Sequence, residues 1–245
     1  MKSILLFFCV FSMFLGEAQY SGQFASSGSA AGNANGLGQL EQALGPINER
    51  NSKTAKKMET IQGSPYTSNT FLPGNVYYKE ENTGSVFYRY NAYNEEIEIK
   101  TQNLEDAPIR GLSRDKNIAV IGVDGRQVRF STFIDKRNRT QNGYLTLVQD
   151  GKFKLYERNN IKYTEGQPAP NPFIKAVPPK FSQFKEYYLE IEGNNRVDEV
   201  ELKNKKLLKL LPADMKVSTQ QYLKENKIKI KDIEDLMAVV TYLNQ

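Results

Sequence analysis

The chain has 245 residues, with 33 Lys and Arg against 28 Asp and Glu, a formal charge of +5, no His, no Trp and one Cys. Without His it builds no Ser-His-Asp triad, no His-ligated zinc site and no imidazole acid/base relay. Without a second Cys it closes no internal disulfide, so an apolar core has to hold it together, and roughly 180 residues after Ile61 are enough for one.

Lys2, the apolar run from Ile4 to Leu15, and then Gly16, Glu17 and Ala18 have the layout of a secretory signal peptide cut after Ala18. The run is too short to span a bilayer. Cys9 lies inside it, not behind it as a lipobox cysteine would, and reads as an incidental apolar residue. The exported chain then has no thiolate nucleophile or thiolate metal ligand. From Gln19 to Gly38 the chain is Ser, Gly, Ala, Asn and Gln with few large apolar residues, a composition that cannot offset its own ordering entropy. Residues 19–62 therefore read as a tether. Within it, Leu40 to Ile61 is either a short helix or more linker, interrupted by Gly45-Pro46.

A β-domain is expected over residues 63–202. Four hairpin signals mark it: Asn82-Thr83-Gly84 between Val76–Glu80 and Val86–Tyr90, Asp124-Gly125 between Ile118–Val123 and Val128–Ile134, Asp150-Gly151 between Tyr144–Gln149 and Lys152–Tyr156, and Gly193-Asn194-Asn195 between Tyr187–Glu192 and Val197–Leu202. Asp-Gly suits type I′ turns, whose twist matches paired strands. Alternation agrees: Phe153 and Leu155 oppose Lys152, Lys154 and Tyr156, and Ile97 and Ile99 oppose Glu96, Glu98 and Lys100. Residues 166–184 carry five prolines and predict an extended connection wrapping the sheet, anchored by Phe173, Ile174, Phe181 and Phe184, or less simply a proline-rich ligand for a partner's aromatic groove.

Residues 203–245 predict a Lys-rich helical cap. Leu207 to Leu211 suit a short helix ending at Pro212, Ser218 with Gln221 suggests a capping box for a second, and Ile233, Leu236, Met237, Val240 and Leu243 form the stripe of a third. Asp232, Glu234 and Asp235 suit the dipole of that last helix. From Lys203 to Lys231, nine Lys stand against Asp214 and Glu225. The fold class is thus α+β: mainly antiparallel β, a curled sheet or open barrel of hairpins, followed by a small C-terminal helical cap.

A signal peptide ending Glu-Ala-Gln precedes a β-region opening GSPYTSNTFLPGNVYYKEENTGSVFYRYNAYNEEIEIK. GYLTLVQDGKFKLYER, a Pro-rich stretch, YYLEIEGNN and the C-terminal KKLLKLLPADMKVSTQQYLKENKIKIKDIEDLMAVVTYLNQ follow. From Gly63 onward this layout resembles a group of small exported proteins common in Bacteroidota. The resemblance implies a bacterial cell envelope, in the periplasm or at the cell surface, and carries no activity or site residue.

Candidate chemistry is sparse. Glu96 and Glu98, about 7 Å apart along a strand, with Glu95 and Asp106 nearby, have the spacing of glycosidase carboxylates, but they oppose Ile97 and Ile99 and so fall on a wet face. A second acidic run from Glu186 to Glu201 lacks the regular loop spacing of a calcium site and can instead face the Lys-rich helices. Lys136, Arg137 and Arg139 make a basic loop suited to phosphate or polysaccharide. Tyr78, Tyr88 and Tyr90 are candidates for an aromatic surface that stacks on sugars or anchors a protein. No catalytic residue, metal or cofactor is assigned. The expected function is non-enzymatic: an exported binding or assembly protein that contacts an envelope protein through its β-domain. A carbohydrate-binding or carbohydrate-processing protein is the alternative, and weak peripheral membrane contact through the Lys-rich end is a third reading. No transmembrane segment is expected, nor nucleic acid, given export and the missing Trp.

Overall fold

The computed structural model describes Leu40, Ala43, Leu44 and residues 61–245. The stretch expected to be a signal peptide, Cys9 with it, and nearly all of the expected tether lie outside the described residues. Leu40 and Ala43 are helical and buried, and Leu44 bridges to Leu112. The Ala43 carbonyl accepts the Ser113 N–H at 2.8 Å, and Gln62 exchanges bonds with Pro179 (2.9 Å) and Phe181 (2.8 Å). These few residues of the stretch assigned to the tether are thus part of the packed domain, because their apolar side chains cover the first core cluster.

Ten strands follow: β1 (Leu72–Tyr78), β2 (Glu81–Asn91), β3 (Glu96–Lys100), β4 (Arg110–Gly111), β5 (Ile118–Gly122), β6 (Gln127–Ile134), β7 (Thr140–Gln149), β8 (Phe153–Thr164), β9 (Lys180–Ile191) and β10 (Val197–Glu199). Three helices come after them, α1 (Asn204–Leu210), α2 (Ala213–Glu225) and α3 (Ile233–Leu243). The protein is therefore mostly antiparallel β with a helical C-terminal part, an α+β fold. In the sheet the order is β10-β9-β8-β7-β6-β5-β1-β2-β3-β4, and β10 also pairs with β6, Asp198 lying opposite Ile134 in parallel sense. That second pairing closes β6 to β10 into a ring of five strands.

The turns fall close to three of the four sequence signals, with different geometry. At Asp124-Gly125 and Asp150-Gly151 only the glycine has positive φ, at 77° and 143°, so neither is a type I′ turn. The pair with both φ values positive is Lys79 and Glu80, at 47° and 70°, which the sequence did not mark. Asn82-Thr83-Gly84 lies inside β2. Tyr77 pairs with Asn82 and Val76 with Gly84, which makes Thr83 a bulge whose buried hydroxyl donates to Val76 O at 2.9 Å.

Among the described residues, three clusters form the core. Val76, Val86, Tyr90, Ile97, Ile99 and Val120 lead the one between β1–β5 and the middle of β8–β9, which contributes Ile161 and Phe181. Phe133, Leu145 and Tyr188 fill the five-stranded ring. The third lies between the helices and the outer face of β8–β9: Phe153, Leu155, Tyr187 and Leu189 meet Leu207, Leu223, Leu236, Val239, Val240 and Leu243. Each fully buried Leu or Val there contributes about 1.5–3 kcal/mol.

Helix α3 begins as its sequence implies, the Asp232 side chain accepting the Asp235 N–H at 2.9 Å while Asp235 accepts from Lys231 N at 3.0 Å. Helix α2 does not. It starts at Ala213 behind Pro212, and Ser218 is mid-helix, donating to Met215 O at 3.0 Å. Pro at a helix start costs nothing, since the missing N–H has no intrahelical partner there. Asn244 ties the chain end to the β7–β8 turn, accepting from Phe153 N at 2.8 Å and donating to Phe153 O at 3.0 Å.

Candidate functional site

The three tyrosines do not form a surface. Tyr90 is buried in the first core cluster, and its hydroxyl donates to Glu95. Burial and the Glu95 charge both push that phenol far above its usual range. Tyr88 is half-buried on the same cluster, its phenol raised by desolvation first and by Asp124 second. Tyr78 sits opposite Glu81 and Ile118, whereas Tyr88 sits opposite Leu72 and Ile99, so the two occupy opposite ends of the β1–β2 pair. The expected aromatic face is corrected: half-buried sheets favour Tyr for packing.

The wet-face reading of Glu98 is also overturned. Glu98 is buried at 3% exposure and pairs with Arg89 at 2.7 Å. Arg89 in turn stacks over Tyr66 at 3.9 Å and Phe71 at 4.5 Å. Lys100, on the same face, donates to Leu104 O at 2.7 Å. Period-two alternation failed here because Tyr66, Phe71 and the loop before β4 cover the second face of β3. Glu95 points elsewhere, accepting from Arg158 and, at 3.2 Å, from Tyr144 N.

Lys136, Arg137 and Arg139, by contrast, come together with partners that sequence reading did not supply. They belong to the β6–β7 turn, where Asn138 has φ 60°. Asp135 organises that turn, accepting from Arg137 N and Arg139 N at 2.9 Å each and pairing with the Arg139 guanidinium at 2.7 Å. The Arg139 bonds hold the Asp135 carboxyl below its ordinary range. This turn rims a cavity of about 280 Å³ at the mouth of the five-stranded ring, with Phe133 and Tyr188 beneath it.

Arg158, Glu186 and Glu199 line the same mouth. Arg158 pairs with Glu186 at 2.7 Å and with Glu95, and those two charges raise its pKa against the effect of burial. Its buried Nε has no hydrogen-bond partner among the described residues. Burial disfavours the Glu186 charge, yet Asn160, Arg158 and Tyr188 donate to it and hold the carboxyl below the usual range. Glu199, 8% exposed, is shifted the other way. Burial raises it, the Lys136 N–H at 2.8 Å lowers it, and repulsion from Glu186 raises it further. Two carboxylates in one cavity with opposed protonation preferences can serve as a proton donor and a charged acceptor. The missed signal was positional: continuing the alternation of β8 two residues past Tyr156 puts Arg158 on the inward face.

The second feature is the far end of β8–β9. The two strands, 12 residues each, stay paired from Phe153↔Ile191 to Thr164↔Lys180. Beyond them the Pro-rich loop is braced by Gln167 and Val177, which exchange bonds of 2.8 and 2.9 Å. The Asn171 side chain accepts from Phe173 N at 3.0 Å and Ile174 N at 3.1 Å. Phe173 is 96% exposed, Ile174 53% and Val177 56%. The expected anchoring is corrected, since only Phe181 packs down, at 7% exposure, against Tyr93 and Tyr163. The loop stands off the sheet instead of wrapping it.

Among the described residues, no helix is long and apolar enough to cross a membrane, and no group of three or more His, Cys, Asp or Glu could hold a metal ion. Comparison with models of known protein families, with curated proteins and with solved structures returned no match.

Proposed function

We propose that this is a non-enzymatic exported binding or assembly protein of a bacterial envelope, and that it grips a protein partner with the tip of the β8–β9 hairpin. One observation carries the reading: Phe173 is 96% exposed at the end of a braced arm, with Ile174 and Val177 beside it. An aromatic presented this way has a large apolar surface and no packing duty, which is the character of an interface anchor. The prolines at 168, 170 and 172 lower the entropy lost on docking. The signal-peptide layout of residues 1–18 supports contact outside the cytoplasm.

The test compares the wild-type chain with a Phe173→Ser/Ile174→Ser variant in crosslinked pull-downs from intact source cells. A stoichiometric partner recovered with the first and lost with the second supports the reading. Recovery of both alone, or of the same partner with both, overturns it.

A second reading, carbohydrate binding or processing, is favoured by the ring mouth, where Glu186 and Glu199 share a cavity with Lys136, Arg137 and Arg139 of the β6–β7 turn and with Arg158 and Lys162. Glycan-panel binding that is lost on Glu199→Gln supports it, and a clean negative panel removes it.

A further inference from the structure

Between α1 and α2 runs a groove of about 780 Å³. Its floor is apolar, formed by Leu208, Leu223 and Ile228, and among the described residues its walls carry six lysines and no carboxylate. None of these lysines takes part in an ion pair among the described residues; the nearby pairs join Glu201 to Lys203 and Lys206, which lie outside the groove. All six are exposed. An apolar trough walled by unneutralised cations is complementary to something apolar along one side and acidic along its edges.

The layout of the charge selects among such ligands. Lys205 and Lys209 stand one turn apart on α1, while Lys216 and Lys224 on α2 bound the opposite wall, about 12 Å apart at helical rise, and Lys227 lies just past the end of that helix. A lipid concentrates its charge in one headgroup and would need the cations gathered at one end. A flat membrane surface would not fill a trough. Single-stranded nucleic acid would need stacking aromatics, and no described aromatic lines the groove. A rod with charge spread along both flanks fits, and an amphipathic helix laid in a groove is such a rod.

We infer that the α1–α2 groove docks an acidic amphipathic helix of a partner protein, its apolar stripe on Leu208, Leu223 and Ile228 and its Asp and Glu residues against the lysine walls. This surface is separate from the Phe173 tip, so either can fail without the other.

A displayed library of 16-residue helices tests it, with apolar residues at i, i+3, i+4 and i+7 and randomised flanks, selected on the full chain. The expected winners carry Asp and Glu on both flanks. They lose affinity at least tenfold on a folded Lys209→Glu/Lys224→Glu chain and weaken steeply with salt, while Phe173→Ser leaves them unchanged. Winners with neutral or basic flanks, affinity indifferent to the charge reversal, or no enrichment at all overturn it. So does Lys209- and Lys224-dependent pelleting with phosphatidylglycerol vesicles in place of helix binding.

Discussion

The two ends of the β8–β9 hairpin begin from the same kinds of residue and finish in opposite surroundings. At the near end Phe153 and Leu155 are 4% and 0% exposed beneath the helices, while at the far end Phe173 and Ile174 are 96% and 53% exposed. The strands between them change partners gradually: first the helices, then Ile161 and Phe181 in the first core cluster, then solvent. Apolar residues at the near end are accounted for by stability. Those at the tip contribute none that the fold requires, and this is why they are read as a contact surface.

The largest effect expected is at the near end. Leu155→Ala should destabilise the chain by about 2–5 kcal/mol, as truncations at sealed sites do, measured by urea denaturation. A loss below 1 kcal/mol would erase the contrast between the two ends. Midway along the arm, Glu186→Gln should cost about 1.5–3 kcal/mol at neutral pH, because a charged acceptor of three donors is lost. Its carboxyl is held low in the folded state, so the stability it gives is present above the unfolded carboxylate pKa and disappears as pH falls through the folded one. Glu199 is raised, and the sign inverts: its contribution is full in acid and lost as pH rises through the folded value. Glu199→Gln should therefore stabilise relative to wild type near neutrality, with the gap closing in acid, whereas the Glu186→Gln deficit also closes there.

A smaller loss, about 0.5–2 kcal/mol, is expected for Asp232→Ala, which removes the α3 cap and loosens the cover over the near end. Smallest of all is the tip. Phe173→Ser should shift stability by less than about 0.5 kcal/mol and still abolish partner recovery. A large stability loss there would mean that the tip packs against something in the fold.

The elements most legible in the sequence were those with local chemical signatures. Asp124-Gly125, Asp150-Gly151 and Gly193 marked three turns, and Asp232 with its apolar stripe marked α3. Boundaries set by tertiary contact were not legible. β8 runs on to Thr164 through the polar stretch after Tyr156, because a full-length β9 pairs with it. Ser218 resembled a cap, but Pro212 had already started the helix. Glu98 resembled a surface carboxylate until Arg89 and the cover over β3 were seen.

The candidate site divides in the same way. Its basic turn is contiguous and was found, whereas Arg158, Glu186 and Glu199 come from three neighbouring strands, β8, β9 and β10, and the β10–β6 closure sets them against that turn. The exposed tip was misread because Pro-rich apolar sequence has the same composition whether it wraps a sheet or stands away from it.

The central claim, that the far end of the arm is where a partner is held, is tested most directly by photo-crosslinking. A photoreactive residue is placed at position 173 and, as control, at Val123, which is also exposed, at 74%, and lies off the arm. The account predicts one dominant adduct from position 173 in intact source cells and none from position 123. The same adducts from both positions, or none from either, would contradict it.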